Sequence, residues 1–234
     1  MSHPADPSSR PFSRQPAVPA LRGWDATCAA ARHLLDQALA TGRRQMLGVA
    51  ACPGAGKSTL AARLLDELGD AVAIVPMDGF HLANSELARL GLAQRKGSPP
   101  SFDAPGFVAL LERLRRDGGP VYAPEFRREL EESIAGALLV APQHRLLIVE
   151  GNYLLLEEGG WAGVRPLLDA CWYLAVDDGL RRERLLSRHM HHGRTRQQAL
   201  DWMAGNDELN AALIAAQAHR ADAWVHLDTD QDAA

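Results

Sequence analysis

Lys57 is one of only two lysines among the 25 basic residues of this 234-residue chain, and it lies in the run Ala51-Cys-Pro-Gly-Ala-Gly-Lys-Ser-Thr59. A lysine kept in a chain that otherwise uses arginine marks a position suited to a compact, mobile point charge. The small residues Pro53, Gly54, Ala55 and Gly56 let successive backbone N–H groups close around phosphate oxygens. A helix starting near Lys57 adds the partial positive charge of its N-terminus. Lys57 is then placed to reach the β- and γ-phosphates of ATP and Ser58 to ligate Mg²⁺, with Thr59 completing the nucleotide contacts. The pattern G-x-x-x-x-G-K-[ST] is met at Gly56, Lys57 and Ser58, whereas Ala51 replaces the first glycine. A positive φ at Ala51 would cost about 1 kcal/mol or more; a strand-end φ would not. Cys52 shares the loop, where a helix N-terminus can lower a thiol pKa, but a small side chain filling space is the simpler reading.

Two acidic residues end apolar segments. Asp78 follows Ala71 to Pro76, and Glu150 follows Arg145-Leu-Leu-Ile-Val. In a parallel α/β sheet, ligands bind beyond the C-terminal strand ends, which is where both carboxylates fall. Asp78 can accept a proton from a hydroxyl or orient it for in-line attack; as a competing reading it caps a helix beginning near Leu82. Glu150 can hold Mg²⁺ through water or bind substrate hydroxyls, or it can cap a loop.

The second lysine, Lys96, stands between Gly91 and two prolines in a polar stretch suited to an ordered loop. Together with His81, Arg95, Tyr122 and Arg128 it is expected to form an acceptor pocket, against a solvated surface role for each. Arg181, Arg184 and Arg188 are spaced i, i+3, i+7 and share one helical face that can close over phosphates, with Arg194 contributing from the next turn. The alternative is an exterior face paired with Asp177, Asp178 and Glu183. His189, His191 and His192 lack the accompanying ligands that a zinc site needs and are expected in a mobile, solvated lid. Asn206 and Asn210, one helical turn apart, are read as surface polarity.

These residues need a frame. Apolar runs at Met46 to Ala51, Ala71 to Pro76, Arg145 to Glu150 and Ala170 to Val176, with a further one at Ala223 to Leu227, alternate with helical patterns. Continuous apolar strands between helices predict a doubly wound parallel α/β sheet with both faces covered. Helices are predicted over Asp25 to Leu39, with Leu34, Leu35, Ala38 and Leu39 on the apolar side, and around Phe107, Leu110, Leu111 and Leu114, ending at Asp117-Gly-Gly-Pro120. Val121 to Ala141 can supply short strands or a hairpin beside the main sheet. Met1 to Ala20, with five prolines, has no hydrophobic period. The expected organisation is a mobile tail over 1–22 and one domain over 23–234, with a helical lid at roughly 178–200.

A net charge of −4 offers no general attraction to nucleic acid or an anionic membrane, so anion binding must be local. No apolar run reaches membrane-spanning length, and the three cysteines have neither metal-ligand spacing nor an even count. A cytoplasmic protein is expected.

In combination, the phosphate loop, Asp78-Gly79-Phe80, Glu150-Gly151 and the arginine segment resemble the phosphoribulokinase/uridine kinase family of P-loop kinases, over nearly everything after Arg43. Met77-Asp-Gly-Phe-His81 and Arg95-Lys-Gly-Ser-Pro-Pro-Ser-Phe-Asp103 are most similar to bacterial pantothenate kinase and to kinases associated with bacterial fructose transport. The resemblance implies a P-loop NTPase fold with a helical lid, ATP and Mg²⁺, Asp78 as catalytic base, Glu150 near the metal, lid arginines that stabilise the transferred phosphoryl group, and a small hydroxyl-bearing acceptor. Sugar, pantothenate-like and nucleoside acceptors all remain open, and a homodimer is compatible with the resemblance. A regulatory ATPase without a small acceptor is the alternative from another class.

Overall fold

The computed structural model describes residues 18–116 and 118–227. Eight strands form, β1 (Ala20–Arg22), β2 (Gln45–Ala50), β3 (Val72–Pro76), β4 (Val121–Arg127), β5 (Glu132–Val140), β6 (Leu146–Gly151), β7 (Ala170–Ala175) and β8 (Ala223–His226). Seven α-helices accompany them, α1 (Gly23–Thr41), α2 (Lys57–Leu68), α3 (Asn84–Arg89), α4 (Ala104–Arg116), α5 (Asp178–His191), α6 (Arg196–Trp202) and α7 (Glu208–Ala216). Six strands make one parallel sheet in the order β1-β8-β7-β2-β6-β3.

Every predicted apolar run became a strand of this sheet, and both faces are covered. Leu47 and Val49 of β2 and Leu146 and Ile148 of β6 pack with Leu35 of α1 and with Leu60 and Leu64 of α2. Their sheet neighbours Met46, Leu147 and Val149 pack on the opposite side with Phe107 and Leu111 of α4 and Ile214 of α7. Successive strand side chains point to opposite faces, so a strand buried on both sides must be apolar throughout. Each fully buried leucine contributes about 1.5–3 kcal/mol of transfer free energy. The helix predicted from Asp25 runs from Gly23 to Thr41 and buries Leu35 and Ala38, but Leu39 turns outward.

Residues 1–17 of the expected tail, and Asp117 of the expected turn, lie outside the described residues. Within them the tail ends earlier than expected. Ala20–Arg22 form the edge strand β1, pairing in parallel with Trp224–His226. Three-residue pairing carries little side-chain periodicity for a sequence pattern to show. Among the described residues, no helix is long and apolar enough to cross a membrane.

The ambiguous segment is an antiparallel hairpin, β4–β5, with a register shift between Ala123 and Glu125. Its Val121, Ala123 and Val140 face inward, while Tyr122 and Leu139 on the other face are exposed. The hairpin leans on the 3-10 turn Met77–Phe80 that follows β3: a Cβ built on Gly79 would stand 2.2 Å from the Pro124 carbonyl oxygen. Only a residue without a side chain allows this backbone approach. Replacing Gly79 by Ala is therefore expected to force the hairpin and the turn apart and to cost about 1–3 kcal/mol. A urea unfolding midpoint unchanged from wild type would show that the two segments are not in this contact.

Candidate active site

The phosphate loop connects β2 to α2. Gly54 and Gly56 adopt φ of 85° and 95°, a region that L side chains avoid. Ala51 does not: Glu131 is the non-glycine residue with positive φ among the described residues, so the replaced first glycine carries no backbone penalty. Cys52 is buried, 3.2 Å from the Tyr173 hydroxyl, and burial raises its thiol pKa despite that contact. It fills space and is no activated thiolate.

The β2–β6 register pairs Val49 with Glu150 and so sets the end of β6 beside the loop. Ser58 Oγ donates to Glu150 Oε1 and Oε2 at 2.9 and 2.7 Å. A hydroxyl and a carboxylate held together are hard oxygen donors, which fits Mg²⁺, an ion that keeps several waters and needs one or two protein ligands beside substrate phosphates.

Asp78 lies in the 3-10 turn after β3. The next helix starts at Asn84 with Ala83 before it, so Asp78 is not its cap. Burial would raise the Asp78 pKa, but Lys57 above all, then His81, Arg128 and Arg188, outweigh it and hold the carboxyl below its ordinary value. Arg128 Nη2 is 3.7 Å from Asp78 Oδ2. The His81 ring packs 3.9 Å from Phe102 and 4.7 Å from Phe126, centroid to centroid, with Nδ1 2.9 Å from the Asp78 carbonyl oxygen. Burial lowers the His81 pKa and favours the neutral ring. These groups line a cavity of about 490 Å³ that also touches Pro53, Lys57, Lys96, Asn152, Arg188 and Asn210.

Several expected site residues are placed differently. Tyr122 is 58% exposed on the outer hairpin face, and Arg95, the last residue of the 3-10 turn Ala93–Arg95, is exposed outside the set that lines the cavity. Lys96 borders the cavity, but its ammonium is spent on Asn84 Oδ1 at 2.9 Å, Glu131 O at 2.6 Å and Glu131 Oε2 at 3.1 Å. It is a strut between its own segment and the hairpin tip.

The arginine face also divides. Arg181 is buried and gives its donors to Asp178, to Glu208 at 2.8 and 2.9 Å and to the Pro53 carbonyl at 3.3 Å. It braces the phosphate loop from behind, where a carboxylate pair and not a phosphate satisfies it. Arg184 is exposed, with Nη1 3.7 Å from the place a Gly56 Cβ would occupy, and Arg188 enters the cavity. Burial and the like charge of Arg128 lower the Arg188 pKa against the pull of Asp207 and Asp78.

His189 is not in a solvated lid. It is buried, with Nε2 2.7 Å from Asp207 Oδ2 and Nδ1 2.6 Å from Arg194 Nη1. His191 and His192 are exposed. Asn206 and Asn210 are buried as well and donate to the carbonyls of Lys96 and Gly97 at 2.7 and 3.3 Å. The signal for His189 was present: Arg181, Leu185 and His189 recur at i, i+4, i+8, and this is the buried face of α5. The asparagines had no comparable signal, because a π-helical segment, Met203–Asp207, rotates them relative to a regular helix.

A family model described as Methylmalonyl Co-A mutase-associated GTPase MeaB matches residues 24–81, the stretch holding α1, the phosphate loop and Asp78. A Schizosaccharomyces pombe protein named "Putative uridine kinase" is 34% identical over 184 residues, covering 74% of this chain and 78% of that protein. The chain belongs to the phosphoribulokinase/uridine kinase family of P-loop kinases. The kinase is also 38% identical over 121 residues to the pantothenate kinase of Leifsonia xyli, covering 49% of this chain and 37% of that protein. A crystal structure titled "putative fructose transport system kinase" from Silicibacter sp. TM1040 superposes on the kinase with a TM-score of 0.74 at 36% identity, covering 84% of this chain and 97% of that one.

The Asp78 environment can be tested directly. In a carbon-13 NMR titration, the Asp78 carboxyl should titrate below the ordinary aspartate range, and Arg128→Ala should move it upward, since one of the cations favouring the ionised form is gone. An Asp78 titration untouched by Arg128→Ala would show that the two groups do not interact.

Proposed function

We propose that this kinase transfers the γ-phosphate of ATP to a hydroxyl of a small metabolite, with Asp78 orienting that hydroxyl and accepting its proton. The supporting observation is an ionised carboxylate on the wall of a cavity that it shares with the phosphate-loop lysine. Backbone N–H groups of Gly54, Ala55 and Gly56 would hold the phosphate chain, and Lys57 would neutralise its terminal oxygens. Arg188 and Arg184 would meet the charge that develops as the phosphoryl group moves. The partly buried Arg188, set near the like-charged Arg128, gains most from an anion between them. Ser58 and Glu150 would hold Mg²⁺, which supplies charge neutralisation at the bridging phosphate oxygens.

His81, pressed between two phenylalanines, gives the acceptor a flat, partly polar wall. The names of the similar proteins mention uridine, pantothenate and fructose transport, which supports a polyhydroxylated or hydroxy-acid metabolite or a nucleoside as acceptor. A switch that only hydrolyses ATP has no use for a cavity of this size lined with Asp78, His81 and Arg128, and the kinase reading is preferred.

Incubation with γ-labelled ATP and a panel of sugars, pantothenate, glycerate, uridine and cytidine should transfer label to at least one organic acceptor. Asp78→Asn should then reduce transfer by about 10²–10⁴-fold while ATP binding stays close to wild type. Label recovered solely as free phosphate, or near-normal transfer by Asp78→Asn, would refute the assignment.

A further inference from the structure

Arg194 is held in a way that differs from the other cations of the cavity. Its guanidinium lies 4.3 Å over the Trp202 ring, and its Nη1 is 2.6 Å from His189 Nδ1. Arginine only donates, so His189 Nδ1 must be the accepting, unprotonated nitrogen. The ring proton then sits on Nε2 and is donated to Asp207 Oδ2 at 2.7 Å. Asp207 thereby selects the tautomer that can grip Arg194. Both members of the pair are buried.

This grip uses one terminal nitrogen and one face of the guanidinium. The edge formed by Nε and Nη2 stays intact, and that edge has the fork geometry that matches two oxygens of a carboxylate or phosphate. Arg181 answers Asp178 and Glu208, Lys96 answers Glu131, and Arg128 answers Asp78. Among the described residues, no carboxylate forms an ion pair with Arg194, although it lines the cavity. Arg194 also borders an adjoining hollow with Gln94, Trp202 and Asn206 that Asp78 does not line, so it serves the other end of the cavity.

Taking the kinase reading as given, we propose that Arg194 is a specificity residue that binds an anionic group, carboxylate or phosphate, on the acceptor, and that His189 and Asp207 are its positioning residues. The acceptor class is then a hydroxy acid or a phosphorylated polyol: its hydroxyl meets Asp78 and its anionic end meets Arg194. The placement also explains the π-helical segment. It turns Asp207 toward His189 while Asn206, one residue earlier, holds the Lys96 carbonyl at 2.7 Å. The anion grip and the acceptor loop are thus built on one short piece of chain.

The test compares matched acceptors on the full-length protein: pantothenate with pantothenyl alcohol, glycerate with glycerol, and a ketohexose phosphate with the free ketohexose. The wild type should prefer the anionic member of a pair. Arg194→Gln should raise KM for that member about 10–100-fold, far more than for its neutral counterpart, with KM for ATP little changed. His189→Gln and Asp207→Asn should shift KM in the same direction by less, and Arg194→Lys should recover part of the loss. The exposed Arg196→Gln serves as a control with an unaltered preference, and a thermal melt confirms that each variant is folded. Equal use of charged and neutral members by the wild type would overturn the proposal and leave the kinase reading intact. So would an Arg194→Gln defect confined to kcat or to KM for ATP, which would make Arg194 a phosphate-side residue. Failure to label any acceptor would overturn both.

Discussion

A phosphate site made of backbone N–H groups has to be held in shape from outside, because the residues that make it have almost no side chains with which to pack. Gly54 and Gly56 adopt positive φ, Ala55 is small, and Pro53 lacks a donor. Arg181 meets this need. From the first turns of α5 it binds the Pro53 carbonyl, and Glu208 at the start of α7 holds its guanidinium in place. The α5 backbone also closes on Gly54, where a Cβ would be 2.6 Å from the Arg181 carbonyl oxygen. A buried guanidinium is tolerated only when carboxylates answer it, and Asp178 and Glu208 do so. Helix α5 is thereby anchored at its N-terminal end on the loop itself, and its other arginines, Arg184 and Arg188, inherit their positions from that anchor.

The electrostatics follow from the same geometry. The parallel sheet brings the ends of β2, β3 and β6 to one edge, so Lys57, Asp78 and Glu150 converge although they lie far apart in the chain. At that edge Asp78 is the carboxylate facing several cations, and it remains ionised against the penalty of burial. The hairpin β4–β5 supplies Arg128 from a separate small sheet and closes the cavity on a further side. Its placement depends on contact with Gly79, so the residue that lets the hairpin approach is the sequence neighbour of Asp78.

The cavity wall at Lys96 and Gly97 is fastened by polar bonds to backbone carbonyls. Tyr153 donates to Gly97 O, Asn210 to the same carbonyl and Asn206 to Lys96 O, while Lys96 itself reaches Glu131 on the hairpin. Such bonds hold a loop that has few apolar side chains to bury, and each buried amide is satisfied by a backbone carbonyl. The segment 95–101 is ordered by its neighbours, not by its own composition.

What the sequence determined by itself was the part ruled by local patterns. Apolar runs of strand length, helical spacing at Phe107 to Leu114, and a glycine-rich turn before Lys57 reported a doubly wound sheet with a phosphate loop, and the pattern placed Asp78 and Glu150 at strand ends on one sheet edge. These readings hold because strand burial, helix periodicity and glycine geometry act over a few residues. Tertiary structure alone decided which cations are free and which are already paired. Arg181 and Lys96 have the composition and spacing of ligand-binding residues, yet Glu208 and Glu131, 27 and 35 residues away, claim them. His189 read as part of a solvated lid, and Asn206 and Asn210 as surface polarity, until the packing around a π-helical segment buried them against partners. An ion pair or buried hydrogen bond between distant residues leaves no periodic trace, because its partner is chosen by the packing of elements and not by distance along the chain.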